Sequence, residues 1–291
     1  MKNIKTTLLT LLTIALATQS HATRSFVTKI TGQGEPMILI PGLTCKGQVW
    51  DEVIEYYSSN YECHVLSLAG FAGTPAIEHN GKFLQTVKDD LRIYIEQQQL
   101  VNPILIGHSL GGFVSLSLAA EMRNGLGKIV IVDALPFFPA AMNPTATTES
   151  TKSQARAMRN QMRKATADSL RQSQPRLLQG MITDPEKIKL ATQWSIDSDT
   201  ETVAQSMYEM QTIDLRDQLS KIQSSTLVLG AWIGYQAFGA TRESTEAIFN
   251  AQYAKLPNYQ LEMTDNGKHF IMWDDPEFFF AKVDAFLSKE N

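Results

Sequence analysis

The sequence predicts an α/β protein: a mostly parallel, doubly wound sheet whose chain is interrupted by a helical insertion. Three observations predict it. Short apolar runs at Met37 to Ile40, Pro103 to Ile106, Lys128 to Val132 and Thr226 to Gly230 stop at turn residues, as strands buried on both faces do. Stretches with helical spacing alternate with these runs, which is the pattern of βαβ units. From about residue 136 to 223 the strand pattern ceases and helical stripes replace it.

The elements follow in order. Lys2 and Lys5 precede an apolar stretch, Thr6 to Ala17, too short to span a bilayer, and Ser20-His21-Ala22 presents small residues at the positions a signal peptidase reads. Residues 1–22 are therefore expected to be a signal peptide cleaved after Ala22, with the mature protein periplasmic or secreted. The core's first part is expected over 23–135, the helical cap over 136–223 and the second part over 224–291. Strands are predicted at Phe26 to Ile30, Met37 to Ile40 and Cys63 to Leu68, with a helix over 48–59 between the last two. A helix over 83–98 carries Leu84, Val87, Leu91 and Ile95 on one face. The strand Pro103 to Ile106 enters Gly107-His108-Ser109-Leu110-Gly111-Gly112, and a helix is expected from Phe113 to Met122. The strand Lys128 to Val132 ends at Asp133. In the insertion, Ala155, Met158, Met162 and Ala165 form one stripe, and Val203, Met207 and Met210 another. A helix over 243–255, a strand Tyr259 to Met263 and a helix from about Pro276 complete the chain.

Composition narrows the function classes. A hydrophobic fraction of 43%, a charged fraction of 19% and a net charge of −4 are globular values, and no basic face for nucleic acid is expected. Nothing after the leader is long and apolar enough for stable membrane insertion. No metal-ligand spacing, phosphate loop or dinucleotide fingerprint is present, so no cofactor or metal is expected; Gly32-Gln33-Gly34 lacks the later glycine and the helix. The two cysteines are expected as free thiols. Cys45 follows the C-terminal end of one strand and Cys63 begins the next parallel one, roughly 17–20 Å away, beyond the ~7 Å Cα limit of a disulfide. Cys45 is expected near the rim of the site. Lys152, Arg156, Arg159 and Arg163 read as a solvated face of the insertion. Met142, Met158, Met162, Met207 and Met210 could line an apolar pocket or pack the cap to itself.

Chemistry centres on Ser109. A Gly-x-Ser-x-Gly match acquires meaning here because it joins an apolar strand directly to a helix, the strained turn that lifts a serine above the sheet edge. Gly107 and Gly111 leave room for the close approach of strand and helix, and the helix N-terminus favours developing negative charge.

With Ile40-Pro41-Gly42-Leu43, Gly70-Phe71-Ala72-Gly73 and Lys268-His269-Phe270 added to that elbow, nearly the whole mature chain resembles the α/β-hydrolase family. The resemblance implies Ser109 as nucleophile, with the backbone N–H groups of Leu43 and Leu110 as oxyanion donors. Among five histidines, His21 leaves with the leader, His64 lies in a strand, His79 lies in a polar loop, and His108 should point away from its neighbour Ser109. His269, after the last strand, matches the family's base. The family usually places the acid in the loop that here reads Gly230-Ala231-Trp232-Ile233-Gly234-Tyr235-Gln236, which has no carboxylate. Some members carry it one strand earlier, where Asp133 stands. Asp133 is the preferred acid, Glu243 the alternative, Asp265 third, and a dyad without an acid stays open. The implied activity is hydrolysis of a small-molecule ester or lactone. An amidase or aminopeptidase, a carbon–carbon bond hydrolase, and a binding module with a vestigial triad are the alternatives.

Overall fold

The computed structural model describes residues 25–289; the leader expected over 1–22 lies outside them. Among the described residues the strands are β1 (Phe26–Thr31), β2 (Glu35–Ile40), β3 (Tyr61–Leu68), β4 (Ile104–His108), β5 (Ile129–Val132), β6 (Thr226–Gly230) and β7 (Tyr259–Met263). They form one sheet in the order β1-β3-β2-β4-β5-β6-β7, with β1 antiparallel to β3 and the other pairs parallel.

The apolar runs are continuous because successive side chains feed two different cores. Ile38, Ile40, Leu105, Ile129, Ile131 and Val228 pack on one face, against α2 (Phe83–Gln97), α3 (Leu110–Glu121) and α8 (Arg242–Tyr253). Met37, Leu39, Ile106, Val130, Val132 and Leu229 pack on the other, with α1 (Asp51–Tyr57), α9 (Ile271–Asp274) and α10 (Pro276–Leu287). The sheet is thus wound on both sides, as predicted. The helix predicted over 48–59 divides into a 3₁₀ turn, Gly47–Trp50, and α1. The helix predicted from Phe113 starts three residues earlier, at Leu110, because Ser109 itself is its N-terminal boundary.

Between β5 and β6 lie α4 (Thr148–Met162), α5 (Ala167–Gln179), α6 (Pro185–Ile196) and α7 (Thr200–Thr212). The two predicted stripes mark α4 and α7. The middle helices were not predicted individually; α5 holds Pro175 inside it, a residue that ordinarily ends a helix. Their starts are nonetheless written in side chains, since Thr147, Thr166, Asp184 and Asp199 each accept a backbone N–H of the first turn. The helices pack as two pairs, α4 with α7 and α5 with α6.

The insertion is tied to the core by polar contacts. Asp199 N–H donates to Gly70 O at 2.7 Å and Gly73 N–H to Asp197 O at 3.0 Å. Ala72 N–H donates to Ser198 Oγ at 2.9 Å. A side chain on Gly70 would meet Thr202 Oγ1 at 2.6 Å, which explains the glycine in that loop. Buried Glu209 of α7 accepts from Phe83 N–H (2.7 Å) and Leu84 N–H (3.0 Å), capping α2 across the junction.

Two surface expectations change. Arg159 turns inward, donating to Gln205 at 2.9 Å with its guanidinium 4.4 Å from the Tyr208 ring, so the basic stripe is not one solvated face. Met142 is 88% exposed and lines no interior. Cys45 and Cys63 are free thiols, as expected, and both are buried. Among the described residues no helix is long and apolar enough to cross a membrane.

Candidate active site

Five loops at the C-terminal ends of parallel strands build the site, where ligands bind in sheets of this kind. The first is the elbow. Ser109 has φ 53° and ψ −117°, a conformation L-residues rarely adopt, between β4 and α3. It persists because the surroundings over-determine it. Ser109 N–H donates to Val132 O at 2.9 Å. A Cβ on Gly111 would lie 2.2 Å from Ile40 O, and one on Gly107 would lie 2.4 Å from Gly111 O. Only glycines let strand and helix approach this closely, and the serine is left partly exposed at the helix N-terminus.

Asp133 ends β5, also with positive φ (46°). Its N–H donates to Leu229 O at 2.8 Å, turning the chain so that the carboxylate reaches across the sheet edge. Oδ2 lies 2.6 Å from His269 Nδ1, and Oδ1 accepts Ala231 N–H at 2.9 Å. The loop after β6, which lacks a carboxylate, thus contributes an amide that holds one. Since a carboxylate accepts, Nδ1 carries the proton, and Nε2 of His269 is free to take another. The Asp133 side chain is 6% exposed and that of His269 17%.

The His269 loop is itself braced. Thr264 Oγ1 donates to buried Asp275 at 2.5 Å and accepts Gly267 N–H at 2.9 Å. Lys268 N–H donates to Asp274 at 3.1 Å. On the opposite side, a Cβ on Gly42 would come within 3.3 Å of Ser109 Cβ, which draws the Pro41-Gly42-Leu43 turn up to the serine. Leu110 is the first residue of α3, and among the described residues neither its N–H nor that of Leu43 donates to a protein acceptor.

The structure therefore brings Ser109, His269, Asp133, Leu43 and Leu110 to one sheet edge. It leaves the other carboxylates outside. Glu243 is exposed in the first turn of α8, where bonds from its own backbone N–H and from Thr241 hold its carboxyl below the usual range. Asp265 accepts from Arg242 at 3.1 Å and Trp232 Nε1 at 3.4 Å. His64 bonds Tyr94 and Glu62, and His79 accepts Gly81 N–H. Ala231 was invisible to sequence reasoning because it acts through backbone alone. Among the described residues no group of three or more His, Cys, Asp or Glu side chains could hold a metal.

Fold and site together define a hydrolase. Residues 37–282 match the alpha/beta hydrolase family, and the chain belongs to it. Over 273 residues it is 23% identical to N-formylmaleamate deformylase of Pseudomonas putida, covering 92% of this chain and 94% of that one. A match to pimeloyl-[acyl-carrier protein] methyl ester esterase of Aeromonas salmonicida, 29% identical, spans 109 residues, 38% of this chain and 41% of that one. Among solved structures, a thermophilic esterase from Thermogutta terrifontis superposes with a TM-score of 0.72 at 20% identity, over 90% of this chain and 92% of that one. The enol-lactonase of Burkholderia xenovorans gives 0.66 at 16% identity, over 91% and 96%.

Proposed function

We propose that the chain is a serine hydrolase that cleaves a small or medium, partly apolar ester or lactone through an acyl-enzyme on Ser109. The observation that carries this reading is the 2.6 Å contact of His269 Nδ1 with Asp133 Oδ2 beside the strained serine. His269 Nε2 takes the Ser109 proton as Oγ attacks the substrate carbonyl. The oxyanion forms against the N–H groups of Leu43 and Leu110, and Asp133 stabilises the imidazolium. Collapse expels the alkoxide, which receives the proton from His269. A water that gives its proton to His269 then attacks the acyl carbon, releasing the acid and free Ser109.

A fluorophosphonate probe tests the mechanism. Covalent labelling at Ser109, lost in His269→Ala, is expected; a folded protein that fails to label would sink it. A chain-length series of p-nitrophenyl esters tests the substrate class. A second reading, cleavage of a formyl amide, is supported by the full-length likeness to a deformylase. Turnover of N-formyl amides with inactivity across the ester series would favour it.

A further inference from the structure

His108 adjoins the serine, takes no part in the mechanism above, and is 1% exposed. Its Nε2 lies 3.1 Å from the His269 backbone oxygen. A carbonyl oxygen only accepts, so this nitrogen carries a proton. Burial first, and then the facing His269 ring, hold the His108 pKa well below that of an ordinary histidine, so the ring is neutral at pH 7. The ring is enclosed by Phe270 (centroids 4.5 Å), His269 (4.7 Å) and Trp50 (6.5 Å, edge-on). On its remaining side it meets Gly42, where a Cβ would lie 2.8 Å from Nδ1. The neighbours of His269 are held elsewhere, Lys268 N–H by Asp274 and Phe270 N–H by Met181 O at 3.3 Å. The His269 carbonyl itself is held by His108.

Building on the serine-hydrolase reading, we propose that His108 is a positioning residue whose Nε2–H fixes the main chain of His269, and with it the direction in which the base faces Ser109. Successive residues of one rigid segment would then locate both the nucleophile and its base. His108 closes β4 and Ser109 follows it in the turned elbow conformation, which lets the two side chains divide this work. A neutral donor suits the position. A cation this close to the His269 ring would oppose its taking a proton.

Labelling of Ser109 by a fluorophosphonate, read as a rate at saturating probe and a half-saturation concentration, tests the proposal in His108→Gln and His108→Asn. The glutamine amide nitrogen reaches about as far as Nε2 and can still donate; that of asparagine falls short. His108→Gln is expected to label within about threefold of wild type. His108→Asn should be about tenfold slower or worse, with half-saturation unchanged. Equal rates in the two variants overturn the proposal. Should His108→Asn not fold, nitrogen-15 NMR of the folded wild type decides. His108 is expected as the neutral Nε2–H tautomer from pH 6 to 8, and an Nδ1–H tautomer or an imidazolium there refutes the assignment. Failure of the functional reading looks different, since wild type would then not label, or would label equally in His269→Ala.

Discussion

Asp133 Oδ2 sits 2.6 Å from His269 Nδ1, across 136 residues of chain, while Oδ1 of the same carboxylate accepts Ala231 N–H. Both oxygens therefore act as acceptors. A carboxamide has only one acceptor, so in Asp133→Asn an NH2 group must face either the Ala231 amide or the imidazole. The expected result is a fall in ester-hydrolysis kcat of about 10⁴-fold. Glu243→Gln, altering an exposed side chain, should leave kcat unchanged. A larger loss in Glu243→Gln than in Asp133→Asn would reverse the assignment.

The elbow's geometry makes a prediction about stability. In Gly111→Ala the new methyl meets backbone, Ile40 O at 2.2 Å and Pro41 O at 2.8 Å, which cannot rotate away. A loss of about 1–3 kcal/mol in denaturant unfolding is expected, together with loss of probe labelling. Gly180→Ala is the control. The closest atom there is Leu177 O at 3.4 Å and φ is −74°, so stability should change by less than about 1 kcal/mol.

Glu209 links the insertion to the core, and burial raises its pKa despite bonds from Gln205, Phe83 and Leu84. A carboxyl whose folded pKa exceeds its unfolded one binds its proton more tightly when folded. Its contribution is therefore full below the unfolded pKa and declines as pH rises through the folded value. Glu209→Ala should destabilise by about 1–3 kcal/mol, since two N–H groups of α2 lose their acceptor. That cost should be larger near pH 4 than near pH 7 in paired unfolding curves. A cost that grows with pH would contradict the sign.

Burial pushes the Cys45 thiol up to about 12 and the Cys63 thiol up to about 11. Because the thiolate is the reactive form, neither should react with a disulfide reagent at pH 8 while the protein is folded. Two thiols should titrate once guanidinium unfolds it. Rapid reaction of one thiol in the native protein would show that its site opens.

Much of the architecture could be read along the chain, for reasons visible at particular residues. Met37 to Ile40 is continuously apolar because Met37 and Leu39 fill one core while Ile38 and Ile40 fill the other. The α4 and α7 helices announced themselves through apolar stripes. The helix α5 did not, because Pro175 stands inside it, a residue that ordinarily ends a helix. The inward turn of Arg159 was equally hidden, since its partners Gln205 and Tyr208 belong to a helix that follows after two others.

Strand, elbow and helix around Ser109 are local matters of periodicity and turn chemistry, legible wherever Gly107, Ser109 and Gly111 stand in that order. The choice among Asp133, Glu243 and Asp265 was of another kind. All three follow plausible elements, and no local rule ranks them. The parallel pairing of β5 with β6, and the left-handed turn at Asp133, put one carboxylate against both Ala231 and His269. Asp265 instead accepts from Arg242 and Trp232, and Glu243 is held at the start of α8. Hydrogen-bond partners so distant in sequence are chosen by the packing of the whole sheet, which is why only the folded chain could decide them.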